Sequence, residues 1–560
     1  MALTQTSPEN VAPEAPKTGL SAPAPSMGPG AGGNDHKVVG TEYLVMAVLF
    51  LVAGGVLALL MRAQLVSPDG DLFTDRQYRT LFTFHGTFSV FLFLVPLWVG
   101  LATLVVPLQI GSARLAFPRL QTMALWMTFS AGALVIAAAF VQGANRLTSG
   151  WSLADPYPAG NDFRGEAVEF LVLGVALALA AAVLAAANLI TTIVKFRAPG
   201  LTLRRLPLYS WSVLVSGIVL LLAAPVLIAA MGMAYVDHHY GSEIFSGLTS
   251  NRGGNPLAWS RVFWFGAYPL LWALLIPALG AVSEILPVFA RRPIADRPKA
   301  IAALGAVGVL SFVGWGSEVT NIPAARWIFV LGALAVLLPV ASLVVNWLLT
   351  LRAGAKAGTS REGLLAAPMV HVLGFVSVLA VGLGAGAISA LDATGDLHRN
   401  YWQVGQQHML YFVPTLLAAA AALHYWAPKV WGRHLSGGLG RLEVLLLAGG
   451  AHLSFLPALV LGLQDMPVRT STYSSGDDWQ IANMLMSLGS VVLVLGAFAV
   501  VLNVLFSVVL RRGARAARDP WGGHTLEWAT TSPPPRHNFD ELPEVRSATP
   551  LLDLRPPEAN

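Results

Sequence analysis

The stretch QVGQQHMLYFVPTLLAAAAALHYW, residues 403–426, decides the class of fold. It is apolar for longer than a buried helix of a soluble protein needs. Yet it carries an ionisable group, His408, two residues after Gln406. Crossing a hydrocarbon layer of ~30 Å takes ~20 apolar residues in helix. A histidine kept inside such a run is rare enough to be read first as a functional group.

The rest of the chain repeats the theme. Of 560 residues, 55% are hydrophobic and only 12% charged, where a soluble protein carries roughly 25%. Mean hydropathy is +0.63. From Tyr43 onward apolar runs follow one another, near 42–62, 79–107, 120–144, 166–195, 207–235, 261–290, 298–316, 323–351, 363–391, 402–427, 441–463 and 480–510. The expectation is an all-α membrane protein, about twelve transmembrane helices in one bundle spanning residues 37–512. No Cys is present, which excludes disulfides, thiolate metal sites and Cys nucleophiles. A net charge of +5 is small for the length and gives no reason to expect nucleic acid as a partner.

Residues 1–36 are rich in Pro, Ala, Ser and Gly, cannot bury a core, and read as a disordered tail. They lack the basic start and apolar core of a cleaved secretory signal. Basic residues cluster after the even-numbered helices: Arg114 and Arg119, then Lys195 to Arg205, Arg291 to Lys299, Arg352 to Arg361, Lys429 to Arg441. Arg511, Arg512, Arg515 and Arg518 then open a C-terminal tail, 513–560. By the positive-inside rule both termini are expected in the cytoplasm of a cell bounded by this bilayer.

His85, in the second helix, and His408, in the tenth, each lie about six residues from the outer end of their expected helix, or about 9 Å deep at 1.5 Å per residue. Two histidines at one depth can ligate one metal, or the iron of one haem between them. The competing reading is two core histidines bonded to backbone carbonyls, since His371, His424 and His452 are also in apolar runs.

Longer stretches carry a resemblance. FHGTFSVFLFLVPLWVGLATLVVPLQIGSARLAFPRLQTMALW (84–126), NLITTIVKFRAPGLTLRRLPLYSWSVLVSG (188–217) and DPWGGHTLEWATTSPPPRHNFDELP (519–543) resemble, in order, segments of haem–copper oxidase subunit I, the catalytic subunit of cytochrome c oxidase. The resemblance covers the chain from about Tyr43 to Pro543. It implies the subunit I fold in a bacterial plasma membrane. It also implies subunit II-like and subunit III-like partners and an electron donor on the outer face. In that family His85 and His408 match the axial ligands of a low-spin haem. Arg62, in LLMRAQL, matches the arginine at that haem's formyl group, which puts haem A before haem B, although Arg62 alone does not fix the type. Arg469, in DMPVRTSTY, matches an arginine near the propionates, its partner being Val468. His398 matches a ligand of an outer magnesium site, whose acidic neighbour is Arg399 here, so magnesium is not expected.

The family's oxygen-reducing half departs from the pattern. The high-spin haem ligand has become Gln406. In WFGAYPLLW a copper histidine has become Tyr268, the proton-donating glutamate Leu270, and the cross-linking tyrosine Trp272. The histidine pair of the seventh helix has become Ser317 and Glu318. The lysine of one proton channel is Leu343, and the aspartate at the mouth of the other is Arg114. Copper favours imidazole nitrogen, so neither copper nor a high-spin haem is expected. The functional expectation is a membrane haem protein passing electrons through one bis-histidine low-spin haem. An oxygen reductase with an atypical centre and a haem-poor scaffold subunit of a respiratory complex are the alternatives.

Overall fold

The computed structural model describes residues 34–141, 147–152, 166–242, 244–245, 255–318, 326–358, 361–392 and 395–555. Most of the expected N-terminal tail lies outside the described residues. The chain is an antiparallel succession of helices with no strand among the described residues. We label them α1 (His36–Gln64), α2 (Asp75–Gln109), α3 (Pro118–Ala137), α4 (Glu166–Lys195), α5 (Leu208–Tyr240) and α6 (Pro256–Phe289). There follow α7 (Arg297–Leu310), α8 (Arg326–Lys356), α9 (Ala367–Leu391), α10 (Tyr401–Trp431), α11 (Gly437–Leu463) and α12 (Gln480–Val509). Eleven of these are long and apolar enough to cross a membrane. The expected helix at 298–316 departs from this: α7 runs for 14 residues, turns at Ser311–Val313 and continues as a 3-10 turn, Gly314–Glu318. The α-helix does not resume through GWG, 314–316, where glycine propagates helix poorly.

Packing follows sequence order, α3 on α4, α4 on α5, α5 on α6 and α11 on α12, with α12 returning to α1. The outer helices keep exposed apolar faces, such as Leu49, Val52 and Val56 of α1, which suits lipid rather than water. The most enclosed helices are α2, α6 and α10. They form the middle of the bundle, and two of them carry the expected haem ligands.

Both of those helices are locally widened. Phe88–Leu94 of α2 and His408–Phe412 of α10 are π-helical. Each is followed by a proline, Pro96 and Pro414. Proline offers no N–H and its ring collides with the carbonyl four residues back. A wider turn relieves that collision, and such turns are frequent at functional sites.

The start of α1 and the C-terminal tail meet at one end of the bundle. His36 bonds Asn538 at 3.1 Å, and the Lys37 ammonium donates to Arg536 O at 3.2 Å. The C-terminal tail is docked rather than loose. The fully buried Lys429 donates to the carbonyl oxygens of Arg518 and Thr530 at 2.9 and 2.7 Å. The opposite end is closed by the loop around Tyr473, where Asp69 N donates to Tyr473 O and Ser471 Oγ to Asp75.

Candidate haem site

His85 lies ten residues from Asp75, the first residue of α2, and His408 seven from Tyr401, somewhat deeper than the sequence implied because both helices begin earlier. They nonetheless meet. Their ring centres are 6.5 Å apart and their planes only 10° from parallel. His85 Nδ1 donates to Gly54 O at 2.9 Å, and His408 Nδ1 donates to Val404 O at 2.8 Å. With Nδ1 carrying the hydrogen on both rings, both Nε2 lone pairs are available to an acceptor of electron pairs. Such a backbone bond on the far nitrogen is the usual way a metal-ligating imidazole is held. His85 and His408 would hold an iron through their Nε2 atoms at roughly 2 Å each, and ring centres 6.5 Å apart leave space for one ion between them.

Gly54 leaves room for a close approach where its carbonyl meets His85. A Cβ there would lie 3.1 Å from Ser89 Oγ and 4.0 Å from the His85 carbonyl, so glycine lets α1 close on α2. Phe455 of α11 stacks on His408, ring centres 4.3 Å apart and planes 19° from parallel. The carbonyl bonds of the competing reading, two core histidines, are present, and the two rings they fix lie with centres 6.5 Å apart.

Around them opens a cavity of about 470 Å³, lined among others by Arg62, Phe82, His85, His408, Phe455 and Arg469. That lies within the roughly 300–1,000 Å³ of ligand sites. Arg62, only 7% exposed, is fixed by α12, its guanidinium donating to Asn483 Oδ1 at 2.8 Å and Ser487 Oγ at 3.1 Å. Arg469 sits with a left-handed backbone, φ 66°, and its guanidinium lies 6.0 Å from the Phe82 ring centre. Two cations at the rim of an apolar slot suit a planar ligand with acidic substituents. Phe455, Gly54 and Val404 went unrecognised in the sequence; a carbonyl partner and an aromatic wall leave no motif.

The second set of residues builds something else. Gln406, Tyr268, Trp272 and Tyr411 converge with His398 on a space of only about 20 Å³, little more than a water requires. Trp272 stands edge-on to Tyr411, ring centres 5.1 Å apart, and near Tyr268, 6.4 Å away. A Cβ on Gly314 would lie 2.8 Å from Tyr268 Oη, so the phenol is pressed against backbone. Leu270 and Leu343 are buried in the apolar core, and Arg114 is exposed. Ser317 and Glu318 end the 3-10 turn, and their side chains lie outside the described residues. His398 lies 3.5 Å from Ser389 Oγ, and the neighbouring Arg399 engages Val468 N through its carbonyl.

Such a bundle, with two near-parallel imidazoles lining one buried cavity, defines a multi-pass membrane protein with a site for a large ligand. Comparison narrows the class. Residues 38–492 match the family described as Cytochrome C and Quinol oxidase polypeptide I. The chain is 36% identical to a Putative cytochrome c oxidase subunit 1-beta of Streptomyces coelicolor, over 94% of this chain and 90% of that protein. It is 35% identical to a Probable cytochrome c oxidase subunit 1-beta of Nocardia farcinica, over 93% and 87%. It is 32% identical to Quinol oxidase subunit 1 of Bacillus subtilis, over 93% and 79%. The chain belongs to the haem–copper oxidase subunit I family.

Proposed function

We propose that this chain is an electron-carrying subunit of a respiratory membrane complex, holding one low-spin haem between His85 and His408 and lacking the oxygen-reducing centre of its family. The observation that carries this reading is the contrast between the two spaces. The pair His85–His408 spans a cavity of about 470 Å³, whereas the position of the second haem and copper is packed to about 20 Å³ by Tyr268, Trp272 and Tyr411. The donor set there does not fit copper, which favours imidazole nitrogen, and no imidazole stands at Tyr268 or Gln406. A doubly ligated haem iron has no open position and supplies single-electron transfer.

The protein's own share of the work follows from its residues. His85 and His408 are pre-oriented by Gly54 O and Val404 O, so binding costs little side-chain entropy. Arg469 faces the acidic groups of the ligand, and Arg62 would donate to a formyl oxygen, so haem A is favoured over haem B by the family match at Arg62. Leu270 and Leu343 leave the two family proton routes without a titratable group. The termini are assigned to the cytoplasm from the loop charges, which puts the haem toward the outer face. An outer-face donor and subunit II-like and III-like partners are therefore expected, and a soluble carrier or quinol, as the names of the relatives indicate, is the class of donor.

A reduced-minus-oxidised optical spectrum of the purified chain, with and without carbon monoxide, is the test. A low-spin band indifferent to carbon monoxide is the expected result. A shift with carbon monoxide would establish an open-coordinate haem and an oxygen reductase, and absence of a haem band would leave a scaffold subunit.

A further inference from the structure

Three helices of the bundle bring a second, separate set of metal-ligating side chains together. His371 lies one turn into α9, His424 near the end of α10, and Glu443 near the start of α11; all three are buried, at 0%, 3% and 0% exposure. His424 Nε2 donates to Glu443 Oε2 at 2.8 Å, and His371 Nε2 stands 3.4 Å from the same oxygen. The histidine ring centres are 5.0 Å apart. One ligand atom from each residue falls within 4.8 Å of the others. We propose that His371, His424 and Glu443 form a binding site for a divalent transition-metal ion of the zinc class, distinct from the haem cavity.

The tautomers point to a cation. His371 Nδ1 donates to Ala367 O at 2.8 Å, so in the neutral ring Nε2 bears a lone pair. That lone pair makes no hydrogen bond and points at a carboxylate oxygen, an acceptor facing an acceptor. Buried acceptors are not normally left so. Glu443 is meanwhile held from its other side by the buried Asn503, whose Nδ2 donates to Oε1 at 2.7 Å. Among the described residues no Lys or Arg forms an ion pair with Glu443; the basic groups that reach it are His371 and His424, so the compensating charge that a buried anion needs is either a proton on one of these rings or a metal cation. A cation among the three groups cures both faults, taking the His371 lone pair and balancing the carboxylate. Its binding releases the His424 Nε2 proton, as metal binding to imidazole requires. Two imidazoles and one carboxylate, with His371 braced by Ala367 O and Glu443 by Asn503, are a donor set that zinc accepts in tetrahedral geometry with water as the fourth ligand.

There is a route to one of the three ligands. A cavity of about 400 Å³ reaches His424 and is lined also by His434, Gly437 and Arg441. It opens at the end of the bundle where the C-terminal tail docks, since His434 N bonds Ala514 O at 2.9 Å. Gly440 keeps the place clear: a Cβ there would lie 2.6 Å from His424 Cε1 and 2.7 Å from the Ala367 Cβ. An ion held here ties the ends of α9, α10 and α11 at one point.

The full-length protein in detergent, stripped with EDTA and dialysed, is titrated with zinc(II) against a chromophoric chelator. Zinc content is then read by mass spectrometry and zinc K-edge absorption. The expected result is one zinc per chain with two imidazole nitrogens and oxygen at about 2.0–2.2 Å. Glu443→Gln and His371→Phe should lose the ion while staying monodisperse by size exclusion. Asn503→Leu should bind roughly 10–100-fold more weakly. Substoichiometric zinc in the unmodified protein, an all-oxygen absorption spectrum, or equal affinity in His371→Phe and the unmodified chain overturns the proposal. Because the absorption spectrum is taken on the unmodified protein, it decides the question even where a variant does not fold.

Discussion

Gln406 and His408 stand two residues apart on α10 and face different spaces. Two residues of helix turn a side chain by about 200°. His408 therefore looks across at His85 in the large cavity, and Gln406 into the small space beside Trp272 and Tyr411. Gln406 Oε1 is buried without a hydrogen bond, which is the opposite of a group recruited to a ligand-rich site. On the function proposed above, one helix keeps one half of the family's chemistry and packs over the other.

The first consequence is a spectroscopic asymmetry. His408→Ala should abolish the low-spin band and lower the yield of folded protein. The ring's partner would be lost, and polar groups left unpaired in an apolar interior cost about 1–3 kcal/mol each. His85→Ala should do the same. Gln406→Ala should leave the spectrum nearly intact. The side-by-side spectra decide it: a haem retained in His408→Ala and lost in Gln406→Ala would reverse the ligand assignment.

Arg62 gives a second expectation, on stability. Asn483→Leu removes the Oδ1 acceptor that lies 2.8 Å from the buried guanidinium. Hydrogen bonds to charged groups contribute about 1.5–3 kcal/mol, so thermal unfolding in detergent should begin several degrees lower. Haem binding should survive, because Ser487 and the Asn483 carbonyl still hold Arg62. An unchanged midpoint would mean that the arginine is held by another group.

Much of this was legible in the sequence, and the reasons are physical. Membrane helices announce themselves by length and apolarity, because lipid admits no other open structure; the bundle and the order of helices were readable. Equal depth allowed His85 and His408 to share one ligand, and the family resemblance chose that reading over two separate core histidines. What stayed hidden depended on contacts between distant residues. The broken α7 turns on local glycine. The π-turns after Thr87 and Gln407 leave only an ambiguous proline. Glu443 sits 72 residues from His371, and neither looked unusual beside the other buried histidines until three helices set them around one point.

Oxygen chemistry supplies a third expectation. Purified protein, alone or with a subunit II-like partner, should take up no oxygen from a reduced carrier, and copper analysis should find about none in this chain. The basis is the packing of Tyr268, Trp272 and Tyr411 over the second site. Gln406→His should bind no carbon monoxide on its own, because the neighbouring space of about 20 Å³ cannot take a macrocycle. Cyanide-sensitive oxygen uptake or stoichiometric copper would show that the site is functional as it stands.

The docked tail makes a pH-dependent prediction. His524 is 6% exposed, and burial, reinforced by the charge of Arg555, pushes its pKa from the usual 6.5 down to about 4. A freed tail regains the ordinary value and binds a proton that the docked tail refuses. The docked form therefore has its full stability above pH ~6.5 and loses it progressively as pH falls toward 4. Arg555 takes part a second way, since its guanidinium also donates to Gly523 O at 2.8 Å and Asp519 at 3.1 Å. Limited proteolysis of the purified protein at pH 7.5 and pH 5 should cut within residues 519–555 faster at the lower pH, by several-fold, while the helices stay protected. His524→Gln, which cannot gain a charge, should flatten that dependence. Equal cleavage rates at both pH values in the unmodified chain would mean that His524 does not govern the docking of the tail.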